Sequence, residues 1–361
     1  MHRGERVKLD TSRRCADALE FETELRRRVV GQEEAIRKTT EAMQKFMAGL
    51  NDPERPIANI LLLGPTGSGK TRLVEAVAEV MFGDPKLVVK VDCAEFQHSH
   101  EVSKILGSPP GYVGADSKTQ ITQEKLNKSH REDIKLSVLL LDEIEKAHPN
   151  FWELLLGILD KATLTDGKGN TIDFTHTMIF LTSNLGAREV QDAMSGGIGF
   201  SSSEEDVTDK RVDKISQDAA IKKFNPEFMN RLDHVIVFHH LDHTSLQKIL
   251  DIELMMIQKR ILTSSLLSKF VLTVSDPAKE YLLAKGTNKR YGARYLKRTL
   301  DNEIVTPISN FLLTSQLELG DLLEVVYENG DLKFYRIPAG VIAESSNAEW
   351  KDFRKALEES S

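Results

Sequence analysis

Gly64-Pro65-Thr66-Gly67-Ser68-Gly69-Lys70-Thr71 is the stretch on which the reading of this 361-residue chain turns. The apolar run Ile57-Ala58-Asn59-Ile60-Leu61-Leu62-Leu63 precedes it, and Arg72-Leu73-Val74-Glu75-Ala76-Val77-Ala78-Glu79 follows. Strand, glycine loop and helix form the context that makes a G-x-x-x-x-G-K-T match a P-loop. The glycines let successive backbone N–H groups converge on phosphate oxygens, and the helix N-terminus adds the positive end of its dipole. Lys70 is expected to reach the β- and γ-phosphates of a nucleotide. The Thr71 hydroxyl is expected to ligate Mg²⁺.

Working outward, four more short apolar runs fall at 87–91, 138–141, 178–182 and 234–238. Helical stretches separate most of them, including 19–25 and 33–49 upstream of the loop. Near-continuous apolar strands alternating with helices predict a parallel sheet covered on both faces. The expected fold is therefore α/β, with a five-stranded parallel sheet in a large nucleotide-binding domain at 19–240. A hairpin is expected around Asp166-Gly167-Lys168-Gly169-Asn170, and a Ser-, Gly- and acid-rich surface loop at 191–212.

Beyond residue 240 the pattern changes to helices at about 242–262, 276–285 and up to 313. A strand pair at 322–327 and 332–336 then meets at Asn329-Gly330, a strong hairpin signal. This predicts a small α+β lid domain at 241–337, between a basic N-terminal arm (1–18) and a C-terminal tail (338–361). In that tail Trp350, Phe353 and Leu357 share one helical face.

The net charge of −7 argues against a surface that binds nucleic acid nonspecifically. Two cysteines, Cys15 and Cys93, without a C-x-x-C or His/Cys cluster, predict neither a zinc site nor a disulfide framework. The first 20 residues lack an apolar signal core, and no apolar run nears the ~20 residues of a membrane helix. A cytoplasmic protein without membrane partners is expected.

Four further places carry chemistry. The strand Val138-Leu139-Leu140-Leu141 delivers Asp142 and Glu143 to the carboxyl edge of the sheet, where ligands of open α/β sheets bind. Asp142 is expected to hold Mg²⁺, directly or through water, and Glu143 to orient and deprotonate the attacking water. Asn184, at the end of Leu181-Thr182-Ser183, presents an amide suited to hold that water. Arg231 and Arg294 are cations suited to charge building on a γ-phosphate, although composition alone favours reading either as a former of surface salt bridges.

Taken together, these strings resemble the AAA+ ATPases of the Clp unfoldase family, most closely the second AAA+ module of ClpB- and ClpC-type proteins. The resemblance runs over about 19–336. It is carried by Val29-Val30-Gly31-Gln32, the P-loop, Pro109-Pro110-Gly111-Tyr112-Val113-Gly114, Leu141-Asp142-Glu143-Ile144-Glu145-Lys146-Ala147-His148-Pro149, Leu164-Thr165-Asp166-Gly167, Thr182-Ser183-Asn184, and the segments around Arg231 and Arg294. It implies ATP and Mg²⁺ as ligands, with Val29 and Val30 lining the adenine pocket and Asn184 as first sensor. Arg294 would be the second sensor, and Arg231 an arginine finger reaching the neighbouring subunit's nucleotide. A finger acting in trans implies a homohexameric ring, and the family's sheet order places the P-loop strand centrally.

The resemblance further implies that Tyr112, supported by Val113, lines a central channel and grips unfolded or tagged polypeptide. The hairpin near 167–170 is a second channel-loop candidate. Ile198-Gly199-Phe200 matches the hydrophobic-Gly-hydrophobic tripeptide with which some relatives dock on a ClpP-like peptidase; the alternative is an apolar pair folded back on the large domain. The chain carries one AAA+ module where ClpB- and ClpC-type proteins carry two, and no coiled-coil insertion, so it reads as a fragment or as a single-ring member. The expected function is an ATP-driven unfoldase and translocase. The alternatives are a remodeller dedicated to one complex, or the unfoldase subunit of a ClpP-like protease. A nucleic-acid motor is disfavoured, because no Lys or Arg flanks Tyr112.

Overall fold

The apolar runs become sheet strands because they bury both faces in the interior strands and one face at the edge. A computed structural model describes residues 10, 14–107, 120–194, 209–264, 269–287 and 292–339. The chain divides into two compact units, Met1–His239 and His240–Ser361. The strands of the first unit are β1 (Ala58–Leu63), β2 (Val88–Asp92), β3 (Ser137–Asp142), β4 (Thr163–Thr165), β5 (Thr171–Asp173), β6 (Thr177–Ser183) and β7 (His234–Val237). Five of them form one parallel sheet in the order β2-β3-β6-β1-β7. β1 is thus interior, flanked by β6 and β7, while β6 takes the middle place.

Alternate residues of each strand enter two separate cores. Leu61, Leu63, Val91, Leu139, Leu141, Ile179 and Leu181 pack on one side with Phe151, Leu155 and Leu159 of the helix Pro149–Lys161 and Ala220 of the helix Asp209–Lys223. Ile60, Leu62, Val138, Leu140, Met178, Phe180 and Ile236 pack on the other. That face is covered by Phe21 and Leu25 of the helix Ala16–Arg28, Ile36 and Met43 of Glu33–Met47, and Leu73 and Val77 of Lys70–Phe82.

Three local expectations need adjusting. The first helix is longer than 19–25: it starts at Ala16, because Ala18, Phe21 and Leu25 form one buried face. The segment 191–212 is not loop at its ends, since the helix Ala187–Met194 runs into it and Asp209–Lys223 begins within it. In the second unit a third strand, β8 (Val271–Val274), joins the expected hairpin strands β9 (Leu322–Glu328) and β10 (Asp331–Ile337). β8 runs parallel to β9, and β9 antiparallel to β10. The hairpin turns through Asn329 (φ 53°) and Gly330 (φ 85°), the left-handed pair that an Asn-Gly turn requires.

The helices His243–Thr263, Asp276–Gly286 and Gly292–Leu300 complete the second unit. The last continues through a π turn, Asp301–Val305, into Thr306–Leu313. Leu250, Ile257, Leu282, Leu296, Leu300, Ile304 and Val325 form its core. Asp242 caps the first of these helices, accepting from the Ser245 N–H and the Thr244 hydroxyl, and these bonds lower its carboxyl pKa to about 2.

The β4–β5 hairpin is a separate two-stranded sheet, anchored by buried Leu164 and Ile172. Its turn is closed by the Asp166 carboxylate, which accepts from the backbone of Lys168 and Asn170. Tyr112, Val113, Ile198, Gly199, Phe200, Trp350, Phe353 and Leu357 lie outside the described residues. Cys15 and Cys93 are free thiols. Among the described residues no helix is long and apolar enough to cross a membrane.

Candidate functional site

Strand register gathers the expected residues at one edge of the sheet. Leu63 pairs with Ser183 and with Val237, and Asp92 with Asp142, so the chain after β1, β3 and β6 emerges side by side. Those exits carry Gly64 and the glycine loop, Glu143, and Asn184.

The helix Lys70–Phe82 starts at Gly69 (φ 105°) without a side-chain cap, so its first N–H groups face the loop. The Lys70 ammonium is largely buried. It donates to the Gly64 carbonyl at 2.7 Å, the Pro65 carbonyl at 2.9 Å and the Asn184 Oδ1 at 3.0 Å. Thr66 Oγ1 donates to the same Asn184 oxygen at 3.4 Å, and the Ser68 hydroxyl closes the loop on the Pro65 carbonyl at 2.9 Å.

Asn184 is the bridge of the cluster. Its Nδ2 donates to Glu143 Oε1 at 3.3 Å, so one amide separates the Lys70 ammonium from the Glu143 carboxylate. Glu143 occupies the left-handed region (φ 56°, ψ 49°), which is rare outside glycine and is tolerated where surroundings over-determine it. Here its N–H is taken by Thr182 Oγ1 at 3.0 Å and its other carboxylate oxygen by Lys146. The hydrogen bond from Lys146 to Glu143 raises the lysine pKa.

Asp142 is held on both oxygens, by the Thr182 hydroxyl at 2.5 Å and by the Lys90 ammonium at 2.7 Å. Burial pushes its pKa up, but the bonds from Lys90 and Thr182 outweigh burial, and it lies below the usual aspartate value. Cys93 is buried behind these acids; burial first, then the charges of Asp142 and Asp92, raises its thiol well above the ordinary range. Such a thiol is inert.

Thr182, Lys90, Lys146 and Glu145, whose Oε1 accepts the Asn184 N–H at 3.0 Å, hold this site together; none of them has a role assigned from the sequence, although all but Lys90 stand inside the strings that carry the resemblance. Lys146 alone had a linear signal, three residues after Glu143. Gln32 is a further such residue. It is buried, and its amide nitrogen donates to the carbonyls of Ser68 (3.2 Å) and His239 (3.1 Å), joining the glycine loop to the end of the first unit.

The other expected residues are placed differently. Val29 packs into the core while Val30 is half-buried. Arg294 is exposed on Gly292–Leu300, in the second unit. Arg231 precedes β7, and the Asp233 N–H donates to the Asn59 carbonyl at the start of β1. Arg231 therefore lies at the amino edge of the sheet, opposite the glycine loop. Five residue steps along β1 lead from Asn59 to Gly64, roughly 16 Å of strand. The guanidinium pairs with Asp160 at 3.1 Å, as composition alone allowed.

Residues 55–235 match the family profile described as AAA domain (Cdc48 subfamily). Residues 241–325 match the C-terminal, D2-small domain, of ClpB protein. The ATP-dependent Clp protease ATP-binding subunit ClpC of Staphylococcus aureus (strain USA300) is 40% identical over 317 residues, covering 88% of this chain and 37% of the relative. Chaperone protein ClpB 1 of Synechococcus elongatus is 38% identical over 319 residues, covering 88% of this chain and 34% of the relative.

Among solved structures, the S. cerevisiae Hsp104:casein complex in its extended conformation superposes with a TM-score of 0.75 at 31% identity, covering 90% of this chain and 53% of that one. The S. cerevisiae Hsp104–ADP complex gives 0.73 at 32%, covering 87% and 51%. The chain thus spans about a third of the length of these curated relatives and about half of the solved chains. With an AAA domain over half of its length and a ClpB-type small domain after it, the chain belongs to the AAA+ ATPases, in their Clp branch.

Proposed function

We propose that the chain is an ATP-driven polypeptide unfoldase and translocase of the Clp type, working as a hexameric ring. The observation that carries this reading is the separation of Arg231 from the glycine loop by the length of β1. An arginine at the amino edge of the sheet does not serve the phosphates bound at the carboxyl edge of its own copy, but is available to a neighbour. A head-to-tail contact of this kind generates a ring where its rotation closes, as the hexamer reading requires.

The residues present fit a nucleotide with a divalent cation. The uncapped helix start after Gly69 offers N–H groups to an anion, beside the Lys70 ammonium, the Thr71 hydroxyl and the Asp142 carboxylate. Lys70 and the loop 64–71 would hold the phosphates, and Thr71 and Asp142 the Mg²⁺. Bound Mg²⁺ supplies positive charge against the phosphate oxygens.

Glu143 accepts the proton of the attacking water, and Asn184 fixes the carboxylate that does so. Lys146 must release the second Glu143 oxygen for that carboxylate to act freely. Arg231 of a neighbouring copy neutralises charge growing on the γ-phosphate, and Arg294 is assigned the second-sensor role. Turnover then moves Tyr112 and Val113 along the channel. The ClpC relative's name and the casein bound by Hsp104 support polypeptide as the substrate class.

Intersubunit complementation tests the ring. Lys70→Ala and Arg231→Ala should each lower ATPase activity by at least about a hundredfold. Mixing the two restores sites that take Lys70 from one copy and Arg231 from the next, about a quarter of all sites at equal ratio. No recovery at any ratio, in mixtures that still assemble, rejects a shared site. Threading has its own check: Tyr112→Ala should leave ATPase activity near its original level and stop unfolding of a tagged fluorescent protein. Unfolding at the original rate rules out grip by Tyr112.

A further inference from the structure

Asn59, second in β1, is the one polar side chain of an otherwise apolar strand, and it is fully buried. Its Nδ2 donates to the Leu159 carbonyl at 2.9 Å and to the Arg231 carbonyl at 3.0 Å. Its own backbone is bracketed by Asp233. The Asn59 N–H donates to Asp233 Oδ2 at 2.7 Å, and the Asn59 carbonyl accepts from the Asp233 N–H at 2.9 Å. Arg55 Nη2 donates to the Arg231 carbonyl as well, at 3.4 Å.

The neighbour of Leu159 is Asp160, which takes the Arg231 guanidinium. Both ends of Arg231 are therefore tied to one small assembly. Its carbonyl is held from β1, and its guanidinium is held from the end of the helix Pro149–Lys161. Burying an amide inside a sheet is costly, and here Asn59 Oδ1 has no hydrogen-bond partner among the described residues. Packing alone favours an apolar residue at this place, as at Ile60 to Leu63.

We propose that Asn59 is a positioning residue that couples the strand carrying the glycine loop to the arginine offered to the next copy. The proposal rests on the reading of Arg231 as a finger acting in trans. β1 runs without a break from Asn59 to the loop at Gly64. A shift of strand and loop on nucleotide binding is passed through one amide to the Arg231 carbonyl, and so to the guanidinium facing the neighbour. Two donors on that carbonyl, from Asn59 and Arg55, leave its turn little freedom to lag behind the strand. The nucleotide state of one site thereby biases hydrolysis at the next.

The test is a double-mutant cycle in the assembled protein, with Asn59→Leu, Arg231→Ala and the double variant. Nucleotide affinity is read with a fluorescent ATP analogue, and kcat and the Hill coefficient by phosphate release. Asn59→Leu should lower kcat about tenfold or more and flatten the cooperativity, while the analogue still binds within about twofold of its original affinity. Added to Arg231→Ala, it should cost nothing further, because the group it positions is gone.

An equal loss in both backgrounds marks a structural role only and overturns the coupling. So does a kcat unchanged by Asn59→Leu while Arg231→Ala lowers it. If Asn59→Leu does not fold, Asn59→Ser, which keeps one short donor, is read in the same cycle by the same criteria. A kcat untouched by Arg231→Ala removes the finger reading itself, which separates that failure from a failure of Asn59.

Discussion

Glu143→Gln lowers ATP turnover by about 10²–10⁴-fold while ATP still binds. The substitution preserves the shape of the side chain and an oxygen able to accept from Asn184 Nδ2. It removes the negative charge, and with it the basicity toward water and the ion pair to Lys146. The backbone should not rearrange, because the left-handed turn at this residue is held by the main-chain bond to Thr182 Oγ1 and not by the carboxylate. Phosphate release and binding of a fluorescent ATP analogue, measured on the same sample, check the split. Turnover within about tenfold of the original would show that Glu143 is not the base.

Gly64→Ala has the second large effect, and it falls on stability and nucleotide binding together. Gly64 has φ of 139°, a conformation that side chains rarely adopt. A Cβ there would come within 2.5 Å of the Phe238 carbonyl oxygen and 2.9 Å of the Phe238 Cβ. Neither atom is the end of a flexible chain. Phe238 is fully buried, and its N–H donates to the Leu63 carbonyl at 2.7 Å, so the end of β7 cannot retreat without breaking the sheet edge.

Strain and clash together should cost about 2–4 kcal/mol and displace the loop from its phosphate-binding shape. Gly83→Ala is the control. Gly83 also has positive φ, 78°, but a Cβ there meets nothing within 4 Å, so only backbone strain of about 1 kcal/mol is expected. Urea unfolding of the two variants side by side gives the comparison. Equal destabilisation would mean that the approach of Phe238 does not constrain the loop.

Much of the fold could be read from the chain because its signals are local. The interior strands β1, β3 and β6 bury two faces and so write themselves as short apolar runs, and the glycine loop, Asp142, Glu143 and Asn184 follow directly on such runs. Asn329-Gly330 encodes its own turn. The misjudged elements had weak local signals. The four residues of β8 looked like any short apolar stretch until β9 lay beside them in parallel. The ends of 191–212 are helical in spite of their polar composition, with Val190, Val212 and Ala220 buried against the main core.

The supports of the site were not legible, and neither was the location of Arg231. Thr182, Lys90 and Asn59 look ordinary in the chain. They matter because register sets Thr182 and Lys90 against Asp142, and Asn59 against Arg231, across separations of 40, 52 and 172 residues. The chain named an arginine suited to phosphate charge; the sheet put it at the edge away from its own glycine loop. Backbone propensity and apolar period act over a few neighbours, which is why elements and motifs are written in the sequence. Which side chains meet depends on strand order and register, and these are chosen when the two cores close over the whole sheet at once.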